Sequence, residues 1–104
     1  MPLDNQDFRT SVRIFIENFA DDFSLTIYEI SLLKVIADYC DMPLGYCCLS
    51  PSKLEKFSRM KDNQRRKSIN ILIDLNLIFR SYLKGKPVYR IGDVILGMKN
   101  ENDQ

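Results

Sequence analysis

Apolar residues recur at helical spacing over residues 5–19, where Phe8, Val12, Phe15, Ile16 and Phe19 share one side of a helical wheel. The run from Val12 to Ile16 also fits a short strand, but a helix is the expectation. Asp21 and Asp22 break the pattern. Thr26 and Glu29 then have the spacing of a capping box, in which the Thr hydroxyl takes the N3 amide and the Glu reaches back to the cap amide. The spacing predicts a helix from Ile27 to Asp41, ended by Pro43 and Gly45. Ser31, Lys34, Asp38 and Asp41 make one narrow polar stripe on it, and nearly everything else is apolar. Such a helix belongs at the centre of a domain, packed on several sides.

Tyr46 to Leu49 reads as a short strand. Ser50 is suited to cap the next helix, with Pro51 in its first turn, Leu54 and Phe57 facing inward, and a turn at Ser58-Arg59-Met60. A further helix covers about Asp62 to Asn76, with Asp62 as its N-cap and Asn76 as its stop. Its rear half carries Ile69, Leu72, Ile73 and Leu75, whereas Lys61 to Ser68 contains no apolar side chain. A helix with a greasy rear and a polar front is expected to project that front beyond the core. Two β-prone runs, 77–83 and 88–91, flank Lys84-Gly85-Lys86-Pro87 and read as a hairpin with a basic tip. Tyr82 and Tyr89 are read as packing within that hairpin. Val94, Ile95, Leu96 and Met98 form a last apolar segment, expected to pack on the first helix, and 99–104 reads as a disordered tail.

The chain has 104 residues, enough for one compact domain. It contains no histidine, which removes the commonest general base and metal ligand. There is no phosphate-binding glycine loop either, so an enzyme is disfavoured and no cofactor is expected. No apolar run approaches the roughly 18 residues of a membrane span, and the first residues lack the basic and apolar segments of a signal peptide. The expected location is the cytoplasm. Cys40, Cys47 and Cys48 lack a fourth ligand for zinc and are expected as reduced, packed thiols.

The net charge of +1 conceals a segregation. Residues 1–48 carry three basic against eight acidic side chains, and residues 49–104 carry twelve against six. Within 53–90, eleven Lys and Arg face only Glu55, Asp62 and Asp74. A basic face meeting an anionic partner is the functional interpretation; a solvated surface is the bland one.

From about Leu25 to Ile91 the order is helix, short strand, helix, turn, helix, hairpin. The residues Gly45, Cys48, Ser50-Pro51-Ser52, Leu54, Leu72, Asn76-Leu77-Ile78 and Tyr89-Arg90-Ile91 resemble the winged helix-turn-helix family of DNA-binding domains. The resemblance is to the kind found in bacterial, plasmid and phage regulators and in replication initiators. It departs from the family at two places. The turn between the helices has Ser58 or Arg59 where the family usually has Gly, and Arg65 stands four before Ile69 where it usually has an apolar residue.

The resemblance implies a mainly α domain with a small β-hairpin (α+β), a winged helix-turn-helix at 25–98 preceded by an extra amphipathic helix at 1–24. The partner it implies is double-stranded DNA. A helix fits the major groove, where Arg pairs with guanine and Asn or Gln with adenine through two parallel bonds. Asn63, Gln64, Arg65, Arg66 and Asn70 are the expected base contacts, and Lys53, Lys56, Arg59, Lys61 and Lys67 the expected phosphate contacts. Lys84 and Lys86 at the hairpin tip would lie over the minor groove or backbone. The stripe of Phe8, Val12, Phe15 and Phe19 either covers its own domain or makes a two-fold dimer contact; a homodimer interface is the expectation. The alternatives are a protein-interaction module and a replication-initiation accessory.

Overall fold

A computed structural model describes residues 5–41 and 45–96. The expectations for Pro43, Met98 and 99–104 lie outside the described residues. The order is α1 (Asn5–Phe19), α2 (Ile27–Asp38), β1 (Cys40–Asp41), β2 (Tyr46–Cys47), α3 (Pro51–Ser58), α4 (Asp62–Asp74), β3 (Ile78–Leu83), β4 (Lys86–Ile91) and α5 (Asp93–Leu96). Among the described residues this is an α+β domain of five helices and one antiparallel four-stranded sheet, in the order β1-β2-β4-β3.

Helix α2 is the axis of the domain. Leu32, Leu33 and Ile36 are sealed from solvent, and α1, α3, α4, β2 and β4 all pack on it. The capping box at its start is present: Thr26 N donates to Glu29 Oε1 at 2.9 Å. The helix stops at Asp38, three residues short of the expected end. Cys40 and Asp41 leave it to pair with Cys47 and Tyr46 as β1.

The apolar stripe of α1 is turned inward. Phe8, Val12 and Phe15 are buried, and Phe19 is half-buried against the same core. Phe15 packs its ring against Phe19 at 6.0 Å and Phe23 at 5.3 Å. An Arg9–Asp38 ion pair at 3.0 Å ties α1 to α2. The dimer-interface expectation for these four residues is therefore corrected: they are consumed by their own domain. Helix α5, with buried Ile95, packs on α1 as expected of the last apolar segment.

The hairpin is tighter than the sequence predicts. Lys84 and Gly85 both take positive φ (+52° and +79°), the signature of a two-residue type I′ turn. Lys86 and Pro87 therefore belong to β4, opposite Leu83 and Tyr82. Tyr89 is buried as expected, but Tyr82 is exposed.

Helix α4 ends at Asp74, with Leu75 as C-cap and Asn76 left-handed at φ +61°. Leu77 N returns to Leu72 O, and Asn76 N to Ile73 O, both at 2.9 Å. These two bonds make a Schellman close, with Leu72 and Leu77 both buried beside it. Gly92 presses on this close: its amide donates to Leu77 O at 2.8 Å. A Cβ on Gly92 would lie 2.5 Å from Asn76 O and 3.0 Å from Leu77 O. Both obstacles are backbone and cannot swing aside. Gly92→Ala should cost roughly 1–3 kcal/mol, read as a lower melting temperature in calorimetry.

Candidate nucleic-acid interface

Helix α3 begins where Ser50 Oγ accepts from Lys53 N at 3.3 Å, with Pro51 at its first position. Leu54 is buried as expected. Phe57 is not: it stays 39% exposed and stacks on Tyr39 at 4.8 Å. The turn to α4 needs a left-handed residue, and Arg59 adopts it at φ +57°, where the family pattern would place glycine. Met60 N then bonds Glu55 O at 3.1 Å and closes the turn.

Helix α4 starts one residue earlier than a cap at Asp62 requires. Lys61 occupies the cap position without a side-chain bond, and Asp62 is the first helical residue. The Asp62 carboxylate instead accepts from Arg65 Nη2 at 2.7 Å and meets Arg66 Nε at 3.2 Å. The hydrogen bond from Arg65 holds its pKa below the usual range.

Arg65 itself is only 8% exposed. Its Nε donates to Glu55 Oε2 on α3 at 2.7 Å, so one guanidinium joins Glu55 and Asp62 across the α3–α4 turn. Arg65 fills the position where the family pattern has an apolar anchor, and it does the anchoring with charge. The expectation that Arg65 contacts a base is therefore corrected, because its donors are turned into the domain.

A second polar chain fixes the middle of α4. Gln64 Nε2 donates to Ser68 Oγ at 2.8 Å, and Ser68 Oγ donates to Glu29 Oε2 at 2.6 Å. Ser68 and Glu29 are both buried. Gln64, expected as a base contact, is half-buried and occupied in this chain. Burial raises the pKa of Glu29, but the bonds from Ser68 and Thr26 together outweigh it, and the carboxyl is held below its ordinary value.

The rest of the front is turned outward. Lys61, Asn63, Arg66, Lys67 and Asn70 are exposed, whereas Arg65, Ser68, Ile69 and Leu72 are buried. The outward set recurs at three- and four-residue steps, which puts Asn63, Arg66, Lys67 and Asn70 on one face. Lys53, Lys56 and Arg59 are exposed on α3 and its turn, and Lys84 and Lys86 at the hairpin. Sequence reasoning passed over Arg80, which is exposed on β3 and lies 5.8 Å over the Tyr89 ring. The two-residue turn at Lys84-Gly85 sets Arg80 opposite Tyr89, whereas the four-residue tip read from the sequence sets it against Ile91.

All three cysteines are free thiols; Cys40 and Cys47 are buried as expected, whereas Cys48 is exposed. Burial pushes the Cys47 thiol up to about 11 and raises those of Cys40 and Cys48. Among the described residues no three His, Cys, Asp or Glu side chains gather as a metal site. No described helix is long and apolar enough to cross a membrane.

Both Arg65→Ala and Arg65→Met leave Glu55 and Asp62 without their cation, but those carboxylates are partly exposed and rehydrate, so the two variants differ in packing: Met keeps the volume that Ala loses. Arg65→Ala should cost about 2 kcal/mol, discounted for the partly exposed carboxylates, and Arg65→Met less than about 1 kcal/mol, both by urea denaturation. Glu29 gives a pH dependence. Its folded pKa lies below 4.5, so its contribution is complete above that pH and is lost as pH falls through the folded value. The stability gap between the parent and Glu29→Gln should hold steady above pH 4.5 and shrink below it, in melts across a pH series.

Comparison with family models, with curated proteins and with solved structures gives no match.

Proposed function

We propose that the protein binds double-stranded DNA sequence-specifically, as a small transcriptional regulator of the winged helix-turn-helix kind. In this reading α3 and α4 are the helix-turn-helix, α4 enters the major groove and the β3–β4 hairpin is the wing. The element order supports it, as does the pairing of β2 with β4 beside the hairpin. The observation that carries it is the division of α4. Asn63, Arg66, Lys67 and Asn70 are exposed on one face, and the opposite face is held by packing, an ion-pair network and a buried hydrogen-bond chain.

That division suits the chemistry. Reading a base edge needs donors held in a fixed frame, because a bidentate bond tolerates little misplacement. Arg66 is the guanine reader in this scheme, and Asn63 and Asn70 the adenine readers. Lys53, Lys56, Arg59, Lys61 and Lys67 meet phosphates, with Lys84 and Lys86 at the wing. Arg65 and Gln64 serve by anchoring the helix.

One observation favours a protein partner instead: the Tyr39–Phe57 stack leaves two aromatic rings exposed between α2 and α3. Exposed aromatics of this kind are enriched at protein interfaces.

Selection of duplexes from a random pool at about 150 mM salt, where non-specific binding is suppressed, separates the two readings. DNA reading expects an enriched motif; a pool that stays random removes it and leaves the protein-partner reading. Against the enriched site, Arg66→Ala should cost roughly 1–3 kcal/mol and relax one base position. Lys53→Ala should weaken all sequences alike and flatten the salt slope by about one unit. Fluorescence anisotropy across a salt series measures both.

A further inference from the structure

Strand β3 is the long open edge of the sheet. The order β1-β2-β4-β3 leaves its outer side unpaired among the described residues, and the opposite edge, β1, is only two residues long. Edge strands of soluble proteins are usually short, charged or covered, because a row of open backbone groups pairs with any strand presented to it. Here Phe79, Tyr82 and Leu83 are 40%, 64% and 56% exposed on that edge. Phe79 and Tyr82 are side chains that favour strand pairing, and the apolar face of α1 is already buried.

We propose that β3 pairs antiparallel with β3 of a second copy, about a two-fold axis through Ser81. An antiparallel pair on such an axis must match residues of the same sheet face, so the axis passes through a residue and the register can shift only in whole residues of that centre. An axis at Arg80 would set Arg80 against its own copy. An axis at Tyr82 would set Arg80 against Lys84. Both bring like charges together, which is destabilising across strands. Only the axis at Ser81 among these three avoids this. It sets Arg80 against Tyr82 and Phe79 against Leu83, each pair occurring twice.

The first pair extends an arrangement already present. Arg80 lies over the Tyr89 ring of its own β4 at 5.8 Å, and the second copy would bring a Tyr82 ring to its other side. The second pair covers two of the exposed apolar side chains. The same register sends the two Lys84 turns to opposite ends of the ribbon, six residues or about 20 Å apart, so the basic tips do not oppose each other. Six-residue strands bury less area than a standard stable interface, so the dimer belongs to the weak, concentration-dependent class.

The test uses the full chain without DNA, so it is independent of the DNA-binding reading. Sedimentation equilibrium from about 1 μM to about 1 mM, the range over which weak complexes populate, should show a reversible monomer–dimer equilibrium. Arg80→Glu sets an anion against an aromatic face, and Tyr82→Lys sets a cation against a cation. Each should raise the dissociation constant about tenfold or more, because the altered pair occurs twice. The double variant R80E/Y82K creates two opposite-charge pairs and should return the constant to within about threefold of the parent. Both positions are exposed, and circular dichroism checks that each variant stays folded. A chain that remains monomeric throughout overturns the proposal. So does a dimer that either single change leaves intact, or one that the double change fails to restore.

Discussion

The position of α4 depends on one guanidinium. Arg65 reaches back over the turn from α3, bonds Glu55 at 2.7 Å and Asp62 at 2.7 Å, and stays almost wholly out of solvent. A buried charge with one partner is a liability, because lost hydration outweighs a single contact. With two carboxylates sharing it, and each of those still partly wet, the network fixes geometry at modest cost. The consequence is a directional one. By taking Arg65 inward, the helix turns Arg66 and Lys67 outward, and the neighbouring residues of one short basic run acquire opposite tasks.

The chain Gln64–Ser68–Glu29–Thr26 does for the middle of the helix what Arg65 does for its start. It also joins two local events. Glu29 caps its own helix through Thr26 and, with its other oxygen, receives Ser68 from α4. The start of α2 and the docking of α4 are thus coupled through one carboxylate. Beneath these polar fixings Ile69 and Leu72 supply the apolar burial that makes the helix stable at all. The polar groups decide its rotation and its entry angle.

Charge segregation along the chain has a counterpart in the fold. In the first half Asp38 pairs with Arg9 across α1 and α2, Glu17 with Arg13 within α1, and Glu29 is buried against Ser68. Among the described residues, Lys53, Lys56, Lys61 and Lys67 of the second half are exposed.

Near neighbours along the chain set the local elements. The Thr26/Glu29 box, the Ser50-Pro51 start, the stripe of α1 and the apolar rear of α4 depend on neighbours within a few residues, and each appears where the spacing put it. The tertiary structure alone decided which polar side chains face inward. Lys61 to Ser68 reads as uniformly hydrophilic, yet Arg65 and Ser68 are buried because Glu55 and Glu29 wait for them across the fold, ten and thirty-nine residues away in the chain. Periodicity shows which residues share a face; it does not show which face meets a carboxylate. The same limit applies to α1, whose stripe was legible while its cover was not, and to the hairpin, where positive φ at Lys84 as well as Gly85 shortened the turn. Burial of a polar group depends on a distant partner, and distance in space is what a linear pattern lacks.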